Sequence, residues 1–136
     1  ELGESLSATE AKRFEILRTD VWRRVAAALA GRDALLCPTM ATPPVSATKA
    51  DRVRVDFPDD GRFHAEDMTS VFNLVAPCPA LSVPCGLHVA APYAGMPIGL
   101  QIVGQRWRED TVLRIGRAVE LALPHLSPGA ARRPPV

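Results

Sequence analysis

The side chains that could act as nucleophile or base in this 136-residue chain are few and widely spaced. A serine becomes a nucleophile when a neighbouring base, commonly histidine or lysine, removes its proton. The serines of the sequence are Ser5, Ser7, Ser46, Ser70, Ser82 and Ser127. No two of them are adjacent, none lies in a Gly-rich stretch, and the only lysines are Lys12 and Lys49.

Cysteine offers a second nucleophile, and Cys78 or Cys85 paired with His64 or His88 is an alternative, because residues distant in sequence can meet in a fold. Prolines and apolar residues flank both cysteines, which favours inert buried thiols. With Cys37 the count is odd, and there is no Cys-x-x-Cys motif. Free thiols of this kind are typical of a reducing compartment, so we expect a cytoplasmic protein.

A metal site could use His64, Glu66 and Asp67, since imidazole and carboxylate are common ligands. The two acids are adjacent, however, and no second histidine is near them. We therefore predict neither a metal nor another cofactor.

Composition and charge exclude several classes of partner. The chain has 16 basic and 15 acidic residues, scattered along the sequence, and this balance predicts no nucleic-acid partner. No apolar run approaches the roughly 20 residues of a membrane helix, so no membrane partner is expected. Apolar residues make up 47% of the chain and there are 13 prolines, which indicates one domain with an aliphatic core and many turns.

The elements that must position these side chains begin with a long helix over residues 8–30. Ser7-Ala-Thr-Glu10 is a capping box, in which hydroxyl and carboxylate satisfy each other's backbone amide, and Gly31 is a natural stop. The apolar stripe of this helix comprises Phe14, Leu17, Val21, Val25, Ala28 and Leu29.

Short strands and a second long helix follow. Ala34 to Cys37 predicts a buried strand ended by Pro38, and residues 80–85 and 98–103 alternate as two further strands. Pro84 cannot donate to a ladder, which predicts an edge, a bulge or a strand end there.

The remaining segments predict a short helix near 65–74, ending before Pro77, and a helix beginning near Glu109. An irregular loop over about 38–62 and a tail over about 124–136 complete the prediction. The fold class is α/β.

Four short motifs occur in order along the chain. They are Asp33-Ala-Leu-Leu-Cys-Pro-Thr39, Thr69-Ser-Val-Phe-Asn73, Pro79-Ala-Leu-Ser-Val-Pro-Cys-Gly86 and Pro97-Ile-Gly-Leu-Gln-Ile-Val-Gly104. In order and spacing they resemble the C-terminal part of the amidase signature family of serine hydrolases. Asp110, Leu113 and Glu120 fall where family members usually carry an Asp, a Leu and a Glu in the last helix.

The resemblance implies a mixed-sheet α/β fold and hydrolysis of an amide by a Ser nucleophile, a second Ser in a cis peptide and a Lys. None of these catalytic residues has a match here, and the chain opens at Glu1 without a methionine. We therefore expect residues 1–136 to be the C-terminal part of one amidase signature domain. Such a piece supplies sheet and pocket wall, is inactive alone, and partners the upstream part of the same polypeptide.

Two substrate-binding residues are carried over from the resemblance. The branch of the family that transfers ammonia to aminoacyl-tRNA uses an acid upstream of the motif Asn to hold the substrate's amino group, which corresponds here to Asp67 or to Glu66, with a solvated acid at a helix start as the alternative. Asn73 would line the site, with a turn or capping role as its alternative, and Gln101 is expected to satisfy backbone groups. One residue more than usual separates Asn73 from Pro79, and no Gly lies between them.

A small-molecule amide is thus the expected substrate, and a general amidase is preferred to part of a tRNA-dependent amidotransferase. The alternative from another class is a free-standing interaction domain that binds a partner through the loop 38–62. Three short strands with exposed edges predict aggregation or a homo-oligomer for such a domain.

Overall fold

The structure, a computed structural model, describes residues 6–42, 68–75 and 77–126 and confirms the α/β class. The elements are α1 (Ala8–Leu29), β1 (Ala34–Pro38), α2 (Ser70–Leu74), β2 (Ala80–Leu87), β3 (Pro97–Gly104), α3 (Glu109–Ala122) and a 3₁₀ turn (Pro124–Leu126). Most of the predicted loop 38–62 and of the tail 124–136 lies outside the described residues.

The three strands form an antiparallel sheet in the order β1-β3-β2, with β3 in the centre. Because side chains alternate across a strand, β3 contributes to both faces of the sheet. Ile102 joins Val83 of β2 and Val112 of α3 in a core on one face. Val103 is fully buried beside Leu35 of β1, on the opposite face.

The long helix begins and ends as predicted. The Ser7 side chain accepts a hydrogen bond from the Glu10 amide at 3.2 Å, and the Glu10 carboxylate accepts one from the Ser7 amide at 2.9 Å. At the other end Gly31 has a φ of 68°, and the Gln105 side chain donates to the Arg32 carbonyl at 2.9 Å. The Gln105 contact ties the end of α1 to the turn that follows β3.

Of the predicted apolar stripe of α1, only Val25 and Leu29 are buried, and Ala28 is exposed. Val25 and Leu29 pack with Val75 in a second core, whereas Phe14 and Leu17 are each 57% exposed. The helix has 22 residues, about 33 Å at 1.5 Å per residue, and its contacts with this core come from its second half, between Val21 and Leu29.

The prediction that the first strand is buried was wrong for its central residue. Leu36 is 59% exposed, because α3 packs on β2 and β3 and has no substantial contact with β1. Apolar composition identified the strand, but its position at the rim of the described sheet decided its exposure.

The prediction for Pro84 is confirmed. The pairing of β2 with β3 shifts register between Pro84 and Gly86, and β2 is an outer strand of the described sheet. A bulge at this point accommodates a residue that cannot donate to a ladder.

Candidate functional site

Two hydroxyl side chains and a glycine meet on the face of the sheet that carries Gln101. The Thr39 amide donates to the Gly99 carbonyl at 3.0 Å, and Ser82 of β2 is paired with Gln101 of β3. The Thr39 and Ser82 hydroxyl oxygens lie 2.6 Å apart, a hydrogen bond that spans β3. The segments carrying the two hydroxyls therefore flank the central strand at this point.

Gly99 is the residue that permits this contact. A Cβ atom at this position would lie 2.7 Å from the Thr39 hydroxyl oxygen and 3.1 Å from that of Ser82. Real side chains do not approach so closely, so the motif glycine is explained by the space between two hydroxyls. The two hydroxyls and Gly99 form a small polar surface on this face of the sheet.

Gln101 closes one end of this surface. Its side chain is 3% exposed, and its amide nitrogen donates to the Cys37 sulfur at 3.3 Å and to the Met68 carbonyl at 3.4 Å. The Met68 contact agrees with the prediction that Gln101 satisfies backbone groups, and it holds the start of the segment leading into α2 against the sheet.

Of the two predicted substrate-binding residues, one lies within the described structure. Asn73 is in α2 with an exposed side chain, and its backbone amide donates to the Thr69 carbonyl at 3.2 Å. Asp67, with Glu66, lies outside the described residues. Sequence reasoning missed the Thr39–Ser82 pair, although both residues stand inside the quoted motifs, as the Thr of Pro-Thr and the Ser of Leu-Ser-Val-Pro.

Lys12, the one lysine among the described residues, is engaged elsewhere and is no base for Ser82. Lys12 lies on the exposed surface of α1 and donates to Glu15 at 2.7 Å. That carboxylate raises the pKa of the Lys12 ammonium, which keeps it protonated.

The alternative Cys–His pairs with His88 gain no support from the described contacts, and His64 lies outside the described residues. Burial raises the pKa of the Cys78 thiol, and the Arg106 guanidinium beside it offsets this only in part. The ring nitrogen Nδ1 of His88 lies 3.3 Å from the Ala90 carbonyl, and the ring stands edge-on to Tyr93. Among residues 6–42, 68–75 and 77–126 no cluster of three metal-ligating side chains occurs.

The helices among the described residues were compared with the length and hydropathy that a membrane-spanning helix needs. Each of them is too short or too polar to span a bilayer.

Comparison with known proteins identifies the family of the chain. The profile of the Amidase family matches residues 2–113. A glutamyl-tRNA(Gln) amidotransferase subunit from Brevibacillus brevis is 37% identical over 109 residues, which cover 80% of this chain and 20% of the relative. The corresponding chloroplastic/mitochondrial protein of Vitis vinifera is 33% identical over 112 residues, covering 82% and 19%. The chain thus spans about a fifth of the length of these relatives.

Structural comparison agrees. A bacterial aryl acylamidase described as an amidase signature enzyme superposes with a TM-score of 0.74 and 27% sequence identity. The superposition covers 96% of this chain and 27% of the acylamidase. The family match extends over more than three quarters of the sequence and includes all four motifs. The chain therefore belongs to the Amidase family, the amidase signature enzymes.

Proposed function

We propose that this chain is the C-terminal part of an amidase that hydrolyses a carboxylic amide, and that it forms the wall of the substrate pocket. The observation that carries the proposal is the Thr39–Ser82 hydrogen bond over Gly99, built from three of the four family motifs. In this proposal the Ser nucleophile, the cis-peptide Ser and the Lys come from the upstream part of the same polypeptide.

The chemistry of the wall supports this division of roles. Amide hydrolysis needs a nucleophile, a proton acceptor and donors for the oxyanion, and the described residues bring no base to Ser82. A hydroxyl carries one donor and two acceptor positions, so the Thr39–Ser82 pair retains hydrogen-bonding capacity beyond its mutual bond. The pair is therefore suited to orient an amide group.

Activity-based labelling tests the proposal. The 136-residue chain and the full-length product of its gene are incubated with a fluorophosphonate probe and assayed for release of aniline from an aryl amide. We expect the 136-residue chain to show neither labelling nor hydrolysis, and the full-length product to show both. Labelling of Ser70 or Ser82 would contradict the roles assigned here. If the full-length product neither hydrolyses the amide nor contains a further serine that reacts with the probe, the interaction-domain alternative would be favoured.

A second candidate rests on the curated relatives, which are glutamyl-tRNA(Gln) amidotransferase subunits at 33–37% identity. In this candidate the full-length protein acts within a multi-subunit enzyme on a charged tRNA. The extra residue between Asn73 and Pro79 favours the general amidase. Conversion of glutamyl-tRNA(Gln) to its amide by the purified protein, dependent on added partner proteins, would decide for the amidotransferase.

A further inference from the structure

Thr39 lies just beyond the end of β1, after the last residue of that strand that is paired with β3. Two backbone hydrogen bonds fix it there. The Thr39 amide donates to the Gly99 carbonyl at 3.0 Å, and the Thr39 carbonyl accepts from the Met68 amide at 3.2 Å. The hydroxyl that bonds Ser82 is therefore placed from two sides, by the central strand and by the segment that leads into α2.

Met68 depends in turn on the side chain of Gln101. Met68 belongs to no helix or strand, and its carbonyl accepts a hydrogen bond from the Gln101 amide nitrogen at 3.4 Å. That nitrogen carries two hydrogens, and it also donates to the Cys37 sulfur at 3.3 Å. Both donors of a side chain that is only 3% exposed are thus engaged. The buried amide is held in one orientation, and it fixes the place of Met68 on the sheet.

These hydrogen bonds form a closed path that begins and ends on β3. The path runs from Gln101 to Met68 and on to Thr39. From Thr39 it returns to the strand at Gly99, two residues before Gln101. Ser82, which bonds the Thr39 hydroxyl, is itself paired with Gln101 across the sheet. Loss of the Gln101 donor would open the path at Met68 and leave the Thr39 carbonyl without a fixed partner.

We propose that Gln101 is a positioning residue for amide hydrolysis, which acts through Met68 to hold the Thr39 hydroxyl in the orientation that binds the substrate amide. This inference rests on the proposed function, because that function gives the Thr39–Ser82 pair its contact with the substrate. An interaction that orients the amide equally in the bound substrate and in the transition state raises KM when it is lost and leaves kcat unchanged.

Kinetics of the full-length product of the gene test this role. Gln101→Met removes both donors from a side chain of similar length. We expect the KM for an aryl amide to rise at least about fivefold, with kcat per site labelled by the fluorophosphonate probe within about twofold of the native value. Gln105→Met is the matched control, since Gln105 also donates to a backbone carbonyl, that of Arg32 at 2.9 Å, but lies outside the path. Its KM should stay within about twofold of the native value.

A double-mutant cycle tests the route through Thr39. Thr39→Val removes the hydroxyl and keeps the outline of the side chain. In this background Gln101→Met should change KM by less than about twofold, because two residues that act through one hydroxyl are not additive. A full effect of Gln101→Met on KM in the Thr39→Val background would show that Gln101 acts by another route and would overturn the inference.

Amide hydrogen exchange follows the path without an activity assay. In the full-length Gln101→Met protein we expect the Met68 amide to exchange at least about tenfold faster than in the native protein. The Gly104 amide, bonded to the Pro79 carbonyl at 2.9 Å near the other end of β3, should keep its rate. Gln101→Asn is the second variant if Gln101→Met does not fold. Its amide is one methylene shorter and should not reach Met68, so the same changes in KM and exchange are expected.

The remaining outcomes overturn the inference in distinguishable ways. A lower kcat at an unchanged KM would identify Gln101 as a residue that only stabilises the fold. Unchanged exchange at Met68 would refute the path, whether or not the protein hydrolyses the amide. Native kinetics in Thr39→Val would refute the substrate contact of the Thr39–Ser82 pair, and with it the inference. A full-length product that does not hydrolyse the amide would refute the proposed function and the role of Gln101 in it.

Discussion

Gly99 and Gly104 are motif residues at which a Cβ atom would lie too close to neighbouring side chains. A Cβ atom at Gly104 would lie 2.5 Å from a Val112 methyl group and 3.2 Å from the Pro79 ring, so this glycine lets α3 and β2 close on β3. Gly99 serves the Thr39–Ser82 pair in the same way. Close approach, rather than a left-handed backbone, explains both positions.

At the residue scale we predict that Gly99→Ala destabilises the chain by about 1–3 kcal/mol, because the added methyl group overpacks against two hydroxyls. Urea denaturation measures the change. Gly86→Ala is the matched control, since its added Cβ would meet only a methyl group of Ile98 at 4.0 Å. Equal losses in the two variants would contradict the role given to Gly99.

A second residue-scale prediction concerns Gln101. Replacement by leucine should cost about 1–3 kcal/mol, because the part-buried hydrogen bond from Gln101 to the Met68 carbonyl is lost. Gln105→Leu is the control: this exposed side chain donates to the Arg32 carbonyl at 2.9 Å, where water can replace it, and makes a longer bond of 3.5 Å to the Leu29 carbonyl. If the unfolding free energies show Gln105→Leu to be the costlier change, the proposed anchoring of the α2 segment fails.

At the scale of elements, α3 begins with a charge pair. Arg108 donates to both carboxylate oxygens of Asp110, at 3.0 and 3.2 Å. The Arg108 hydrogen bond is the largest cause that lowers the pKa of Asp110 from 3.8 to about 2. A carboxylate in the first turn also interacts favourably with the helix dipole.

The depressed pKa gives a pH-dependent prediction for α3. Because the folded state holds the Asp110 proton more weakly, the stabilisation is complete above 3.8 and is lost as the pH falls towards about 2. Asp110→Asn should therefore be less stable than the native chain at pH 6, and most of the difference should be lost by pH 2. Denaturation across this pH range measures it, and a difference at pH 2 as large as that at pH 6 would contradict the charge-pair explanation.

At the scale of the whole molecule, exposed apolar side chains outnumber the buried core. Seven hydrophobic residues among those described are buried, whereas sixteen large ones are exposed. Single exposed apolar residues are ordinary. Phe14 and Leu17, however, lie on the same apolar stripe of α1 as the buried Val25 and Leu29. Such a surface is what we expect of a chain that packs against more protein.

The central strand should make the two cores unfold together. Ile102→Val, on the α3 face, should destabilise the chain by about 0.5–1.5 kcal/mol. In a Trp107→Phe background, fluorescence of Trp22 reports the opposite face, where the Arg106 guanidinium lies 3.6 Å from its ring centroid. The unfolding midpoint measured by fluorescence and the one measured by far-UV circular dichroism should shift by the same amount. Separate transitions would show that the cores are independent.

Local signals determined much of this structure from the sequence alone. The capping box of Ser7 and Glu10, the stop at Gly31, the three strands and the irregularity at Pro84 all follow from interactions within a few residues, which any fold must satisfy. The four motifs also identified the family. Hydroxyl contacts between Thr39 and Ser82 depended on residues 43 positions apart, and no local pattern predicts such a meeting.

Tertiary structure decided which apolar faces are covered. Periodicity shows that Phe14 and Val25 share a helix face, and composition shows that Leu36 belongs to a strand, but neither shows what packs against them. Only the packed elements place Val25 in a core and leave Phe14 and Leu36 exposed. Burial is a property of two surfaces, and a sequence pattern describes one of them.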